Sequence, residues 1–266
     1  MKKLRLGVVQ LNTRDTIETS FADIERFVKG CATDGASLVL LPELSTYLSE
    51  KKVLSVAQTM DGEIISRFRD MAKKFGIFLN NGSFVEKSDN GKAYNTSVLI
   101  NPQGEIEAYY RKIHLFDIDL PGGLSYRESD RYNRGSSVVV SSTEIGDFGF
   151  SICYDLRFPE LYRSLTEKGA KLIFIPAAFT LHTGKDHWEP LLRARAIENQ
   201  VYIAAADQIG KHPDNKSCYG NSMIIDPWGK VIARSPDKVG YITAEVDWDY
   251  LEEIRRKIPC LNKNYS

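Results

Sequence analysis

Three reactive side chains stand where apolar segments give way to polar ones. Cys153 follows the run Phe148-Gly-Phe-Ser-Ile152 and opens the polar segment Tyr154-Asp-Leu-Arg-Phe-Pro-Glu160. Glu43 closes Leu38-Val-Leu-Leu-Pro42, and Lys112 follows Ala108-Tyr-Tyr-Arg111. A thiol, a carboxylate and an ammonium presented from the edges of buried strands supply a nucleophile, a proton acceptor and a stabiliser for an oxyanion. That set can perform hydrolysis without a metal. Each residue also has a plainer reading. A lone buried cysteine is usually a small core hydrophobe, Glu43 could open a loop or cap a helix, and Arg111-Lys112 could be a solvated pair. The place of Cys153 at the carboxyl end of a strand, where open α/β sheets commonly hold ligands, favours chemistry. A carboxylate as close to the core as Glu43 needs a partner. Ser151 is rejected as nucleophile, because Gly149-Phe-Ser-Ile lacks the final glycine of a serine elbow and places Ser151 inside a strand.

The elements that must position these groups follow from periodicity. Residues 4–9 form a first strand, and Phe21, Ile24, Phe27, Val28 and Cys31 then recur at helical spacing until Gly35. Residues 37–41 are short, continuous and apolar, as expected of a strand covered on both faces. A second helix spans 63–75, and strands follow at 77–79, 95–100, 105–111, 138–141 and 148–152. After Cys153 the alternation resumes with a helix from Pro159 to Lys168 stopped by Gly169, a strand at 171–175, a helix at 187–200 and a strand at 201–206. Asp226-Pro-Trp-Gly229 turns between two further strands, and a helix over 248–257 closes the chain. Helices flanking a mixture of crossover-linked and hairpin-linked strands predict the α/β class, with two sheets face to face and helices outside, a four-layer αββα sandwich.

Composition narrows the partners. With 266 residues and 42% hydrophobic content the chain can bury one large core, and residues 1–266 read as a single domain without a linker. Lys+Arg and Asp+Glu are both 35, and neither sign forms a block, which argues against nucleic acid or an anionic membrane as partner. A small molecule is expected instead. The stretch after Met1-Lys-Lys3 is interrupted by Gln10 and Asn12, too polar for a signal peptide, and no run approaches a membrane span. Cys31, Cys153, Cys218 and Cys260 are scattered, so free thiols in a reducing cytoplasm are expected. His114, His182, His187 and His212 form no close ligand motif, and the Gly-Lys pairs lack a phosphate-loop context; no metal and no cofactor are expected.

Leu41-Pro-Glu43, Arg111-Lys-Ile-His-Leu115, Ile152-Cys-Tyr-Asp-Leu-Arg-Phe-Pro-Glu160 and Leu192-Arg-Ala-Arg-Ala-Ile-Glu-Asn-Gln200, in that order, resemble the nitrilase superfamily of carbon-nitrogen hydrolases over nearly the whole chain. The resemblance implies the αββα sandwich and a triad of Glu43, Lys112 and Cys153. It also implies that Glu128, otherwise an ordinary loop charge, is a second site carboxylate holding Lys112 and the substrate amide. In the implied mechanism Glu43 takes the thiol proton, and Lys112 with the backbone N–H of Tyr154 faces the oxyanion. Glu43 then protonates the leaving amine and activates the water that hydrolyses the thioester.

Within that superfamily the segment from His114 through Gly123 to Glu128-Ser-Asp130 looks like the omega-amidases, which act on amides of 2-oxo acids. Residues 206–212 and 219–229 look more like the deaminated-glutathione amidases. N-carbamoyl amino acid hydrolysis, nitrile hydrolysis and a non-catalytic scaffold on the same fold are the competing readings. Both amidase substrates carry carboxylates, so Arg157 is the candidate cation for them, against a plainer pairing with Glu160. Thr183 adds a candidate hydroxyl contact. Asn221, Lys185-Asp186 and the tail at 262–266 depart from the pattern; the first two are expected to bear on substrate choice. A homodimer is implied by the family.

Overall fold

Alternation along the first strand sets the layers. In the strand Lys3–Gln10, Leu4, Leu6 and Val8 enter one apolar cluster while Val9 enters another, the period of two expected where both faces are covered. Leu38 and Leu40 likewise join the first cluster, and Val39 and Leu41 the second. The structure is a computed structural model and describes residues 3–49, 53–120 and 124–261.

The first sheet runs in the order Gly240–Asp247, Lys3–Gln10, Leu38–Leu40, Phe78–Asn80, Ala93–Ile100 and Phe84–Lys87, with Ile106–Arg111 also paired to Ala93–Ile100. The second runs Val231–Arg234, Met223–Ile225, Tyr202–Asp207, Leu172–Ala177, Gly146–Phe150 and Val140–Thr143. Between them Leu6, Val8, Leu38 and Leu40 share a core with Phe148, Phe150, Phe174 and Ala204. On the far side of the first sheet, helix α1 (Ile17–Thr33) contributes Phe21, Ile24 and Val28, and α2 (Glu63–Phe75) contributes Ile64, Phe68 and Met71. On the far side of the second sheet lie α3 (Pro159–Glu167), with Leu161 and Leu165 buried, and α4 (Leu181–Asn199), with Trp188, Leu192 and Ala196 buried. Helix α5 (Trp248–Lys257) opens on Asp247, whose side chain accepts from the amides of Asp249 and Tyr250. The layering is the expected αββα sandwich.

Besides the short strands Phe84–Lys87, Asp117–Leu120, Leu124–Arg127, Ile209–Lys211 and Ser217–Tyr219, which were not anticipated, two elements differ from the periodicity reading. Helix α4 begins at Leu181 rather than at 187. Its first turns expose Leu181 and His182, so they show no apolar stripe, and at Gly184 a Cβ would overlap the Tyr219 side chain. The start at 181 places Thr183 on a helix. The strand Gly240–Asp247 was not anticipated; it pairs antiparallel along the whole first strand, from Lys3 opposite Asp247 to Gln10 opposite Gly240.

In each sheet the central strands run parallel: Lys3–Gln10 with Leu38–Leu40 and Phe78–Asn80, and Gly146–Phe150 with Leu172–Ala177 and Tyr202–Asp207. Glu43, Cys153, Ala178 and Gln208 all follow the carboxyl ends of these strands, the position where such sheets gather reactive groups.

Candidate active site

The chain turns sharply at both Glu43 and Cys153. Cys153 has φ 49° and Leu44, next to Glu43, has φ 52°. Left-handed backbone is costly for residues with a Cβ, so the surroundings must hold it in place. Behind Glu43, Gly82 has φ 73°, and a Cβ there would overlap the Pro42 carbonyl oxygen. Ser83 Oγ accepts the Leu44 N–H at 2.8 Å, and Gln208 Nε2 donates to the Glu43 carbonyl at 3.0 Å. Beside Lys112, the Gly135 N–H donates to the Lys112 carbonyl at 2.8 Å, and a Cβ at Gly135 would overlap the carbonyl of Arg111.

These loops bring four side chains together. Lys112 Nζ donates to Glu43 Oε1 at 2.9 Å and to Glu128 Oε2 and Oε1 at 3.0 and 3.2 Å. Glu43 Oε2 accepts the Ala178 N–H at 2.9 Å, and Glu128 Oε2 accepts the Phe116 N–H at 2.6 Å. Glu43, Lys112 and the Ala178 N–H all act on the protonation of the Cys153 thiol. Lys112, Glu43, Glu128 and Cys153 are only 2, 4, 5 and 9% exposed, so their charges act on one another with little water between them. Burial pushes the Cys153 thiol well above its ordinary value, and neighbouring Glu43 pushes further, against the opposing pull of Lys112. For Lys112 burial favours the neutral form, but Glu128 and then Glu43 outweigh it and the ammonium is held well above its usual value. At neutral pH the site therefore holds a protonated thiol beside an ammonium.

Tyr154, Arg157 and Thr183 lie around this cluster rather than in it. The Tyr154 ring meets Phe116 and Phe158 edge-on at 5.1 and 5.4 Å. Arg157 is half-buried, with its guanidinium 5.2 Å from the Phe179 ring centroid and 6.0 Å from that of Tyr154. It forms no ion pair among the described residues; the pairing with Glu160 does not occur, and Nη1 lies 3.3 Å from His187 Nδ1. Thr183 Oγ1 is 2.8 Å from Thr180 Oγ1. Arg157 and Thr183 thus flank the segment Phe179-Thr180, which follows the amide that holds Glu43.

Asn221 and Lys185 stand elsewhere. Asn221 has φ 57°, donates to Tyr219 O and Asp237, and accepts from Arg234 Nε, so it ties a turn together and is not one of the groups around Cys153. Lys185 is exposed and lines a surface depression with Glu189, Arg193 and Tyr219. Residues 121–123 and 262–266, which carry part of the omega-amidase-like segment and the altered tail, lie outside the described residues. All four cysteines are free, and no group of three His, Cys, Asp or Glu side chains among the described residues could hold a metal ion.

Two residues at the site were not anticipated. Fully buried Asn95 donates from Nδ2 to Glu43 at 2.8 Å and to Glu128 at 3.4 Å, while its Oδ1 has no partner. The available signal was the polar run Asn95-Thr-Ser97 inside an otherwise apolar strand. The second is Asp155, fully buried two residues beyond Cys153, whose side chain accepts the Ile152 N–H at 2.8 Å.

The sequence pattern of the family described as Carbon-nitrogen hydrolase matches residues 5–256. The chain is 41% identical to Deaminated glutathione amidase of Dictyostelium discoideum, covering 98% of this chain and 94% of that protein. It is 39% identical to Omega-amidase NIT2 of Xenopus tropicalis, covering 97% and 94%. The crystal structure of the C. elegans NitFhit protein superposes with a TM-score of 0.94 at 35% identity, covering all of this chain, which spans 66% of that one. By pattern, identity and architecture together, the chain belongs to the carbon-nitrogen hydrolase family and is a hydrolase of carbon–nitrogen bonds other than peptide bonds.

Proposed function

We propose that residues 1–266 form one carbon-nitrogen hydrolase domain working as a cysteine-dependent amidase. It hydrolyses the terminal amide of a small, carboxylate-bearing substrate such as a 2-oxo acid amide, through a thioester on Cys153. The observation that carries this reading is the Lys112 ammonium held between Glu43 and Glu128, with Glu43 also raising the pKa of the Cys153 thiol.

The steps follow from that geometry. The thiol is protonated at rest, so sulfur attacks the carbonyl carbon as its proton passes to Glu43. The carbonyl oxygen takes the negative charge and is faced by Lys112 and the Tyr154 N–H; one such donor contributes about 3 kcal/mol. Glu43 returns the proton to the departing nitrogen as the C–N bond breaks. Water then attacks the thioester, giving a proton to Glu43, and the C–S bond breaks as that proton returns to sulfur. Glu128 keeps Lys112 aimed and charged. Arg157 receives the substrate carboxylate, helped by the Thr183 hydroxyl.

Similarity to Deaminated glutathione amidase favours a second reading, in which the cleaved amide lies inside the substrate and the leaving group is an amine larger than ammonia. Assays of the new acid, of ammonia and of the released amine separate the two across 2-oxo acid amides, deaminated glutathione, N-carbamoyl amino acids and nitriles. In the same assays Cys153→Ala is expected to abolish turnover, and intact-mass analysis with a slow substrate to place an acyl adduct on Cys153. Turnover by Cys153→Ala near the wild-type rate would reject the mechanism. The working form is a cytoplasmic homodimer, which light scattering and fractionation would test. No described helix is long and apolar enough to cross a membrane.

A further inference from the structure

Cys153 and Lys112 reach the site on separate segments, one following a strand of the second sheet and the other a strand of the first. Asp155 joins them. Its Oδ2 accepts the Ile152 N–H at 2.8 Å and the Tyr110 hydroxyl at 2.7 Å, and its Oδ1 accepts the His114 N–H at 3.0 Å and lies 2.7 Å from His114 Nδ1. Ile152 immediately precedes the nucleophile, and His114 is two residues beyond Lys112. The Tyr110 hydroxyl also accepts the Ile113 N–H at 3.1 Å, and the His114 ring stacks on Phe158 with centroids 3.7 Å apart. Every group turned towards this fully buried carboxylate can donate, and the two backbone N–H groups can do nothing else.

We propose that Asp155 is a positioning residue: a two-ended acceptor that fixes the separation between the Cys153 sulfur and the Lys112 ammonium. The proposal rests on Cys153 as the attacking group and Lys112 as the stabiliser of the oxyanion. A carboxylate accepts at both ends, whereas the isosteric amide accepts at one and donates at the other. In Asp155→Asn, whichever way the amide turns, its NH2 faces either the Ile152 or the His114 N–H. That contact repels and the adjoining segment shifts. Tyrosine can rotate its hydroxyl and histidine can change tautomer, but a backbone N–H cannot adapt.

The test compares wild type, Asp155→Asn and Tyr110→Phe, with turnover expressed per folded molecule, the folded fraction being read from the amplitude of the thermal unfolding transition. Misplacement by about 1 Å at a reacting centre costs on the order of 100-fold, so Asp155→Asn should lose about that in kcat, with KM within roughly threefold of wild type. Tyr110→Phe keeps both backbone contacts and should lose less than about fivefold. A role confined to stability would lower the folded fraction and leave turnover per folded molecule unchanged, and that result overturns the proposal. So does an equal loss in Tyr110→Phe. If Asp155→Asn gives no folded protein, Asp155→Glu carries the test. It keeps two acceptor oxygens on an arm one carbon longer, and turnover per folded molecule below about a tenth of wild type supports the proposal while equality overturns it. A wild-type enzyme that forms no acyl adduct on Cys153 would instead reject the amidase mechanism, independently of Asp155.

Discussion

Replacing Lys112 by methionine separates what the ammonium does for the fold from what it does for the reaction. The change keeps side-chain bulk but leaves Glu43 and Glu128, 4 and 5% exposed, facing each other without a cation. Both contact the same nitrogen, at 2.9 and 3.0 Å, so the contacting oxygens are no more than about 6 Å apart. At an effective dielectric of about 20 their repulsion is about 3 kcal/mol, in line with the roughly 3–5 kcal/mol lost when a buried ion pair is broken. For a chain of this size the melting temperature should fall by on the order of 10 °C. Adding Glu128→Gln removes one of the two charges and should recover most of that loss, since the side chain can still accept the Phe116 N–H. Activity should not return, because both variants lack the cation facing the oxyanion and forfeit at least about 100- to 1,000-fold in kcat. Thermal unfolding and kcat measured on Lys112→Met and Lys112→Met/Glu128→Gln decide the matter. A double variant no more stable than the single one would refute the charge reasoning, and a Lys112→Met enzyme within tenfold of wild-type kcat would refute the oxyanion role.

Arg157→Ala should lower kcat/KM for an acidic amide at least about tenfold more than for a neutral analogue, and Arg157→Lys should recover only part of the difference; an equal fractional loss on both substrates would remove Arg157 from carboxylate recognition. Gly82→Ala should impair turnover by displacing the Pro42-Glu43 turn, whereas Gly76→Ala, also at positive φ but with nothing within 4 Å of its added Cβ, should cost stability alone; matched kinetics of the two variants would contradict this. Burial, followed by Asp34, pushes the Cys31 thiol from 9.0 up to about 12. Its contribution to stability is therefore complete below about pH 9 and is lost as pH rises towards 12, at about 1.4 kcal/mol per pH unit. Urea midpoints between pH 8 and 11 should fall less steeply in Cys31→Ala than in wild type, and parallel slopes would refute the assignment.

The parts of this architecture legible in sequence are those governed by local periodicity. Phe21, Ile24, Val28 and Cys31 mark α1, the helix over Glu63–Phe75 has the span its pattern predicts, and Cys153 and Glu43 follow apolar runs that do form central strands. Lys112 and Glu128 meet in the site although 16 residues separate them, a proximity that only the family pattern suggested. Helix α4 was read short because its first turns bury little, and the strand Gly240–Asp247 went unnoticed because its burial is mostly partial. Asn95 and Asp155 were missed as contributors for a different reason. What each does depends on partners far along the chain, Glu43 for Asn95 and Tyr110 for Asp155, and no local spacing encodes such a partner.

The strand Gly240–Asp247 gives the protein a particular history during synthesis. It is the hydrogen-bonded neighbour of Lys3–Gln10, so that strand is made long before its partner. At roughly 5–20 residues per second, the edge carrying Leu4, Leu6, Val8 and Val9 waits on the order of 10 to 50 s for that partner to emerge. An apolar strand with open N–H and C=O groups is a template for pairing with other chains. Closing the first sheet is also a long-range event, of the kind that slows folding because loop entropy is lost before contacts form. The seam between these two strands thus leaves the nascent protein open to aggregation until Gly240–Asp247 has emerged, and makes that pairing the step that closes the first sheet.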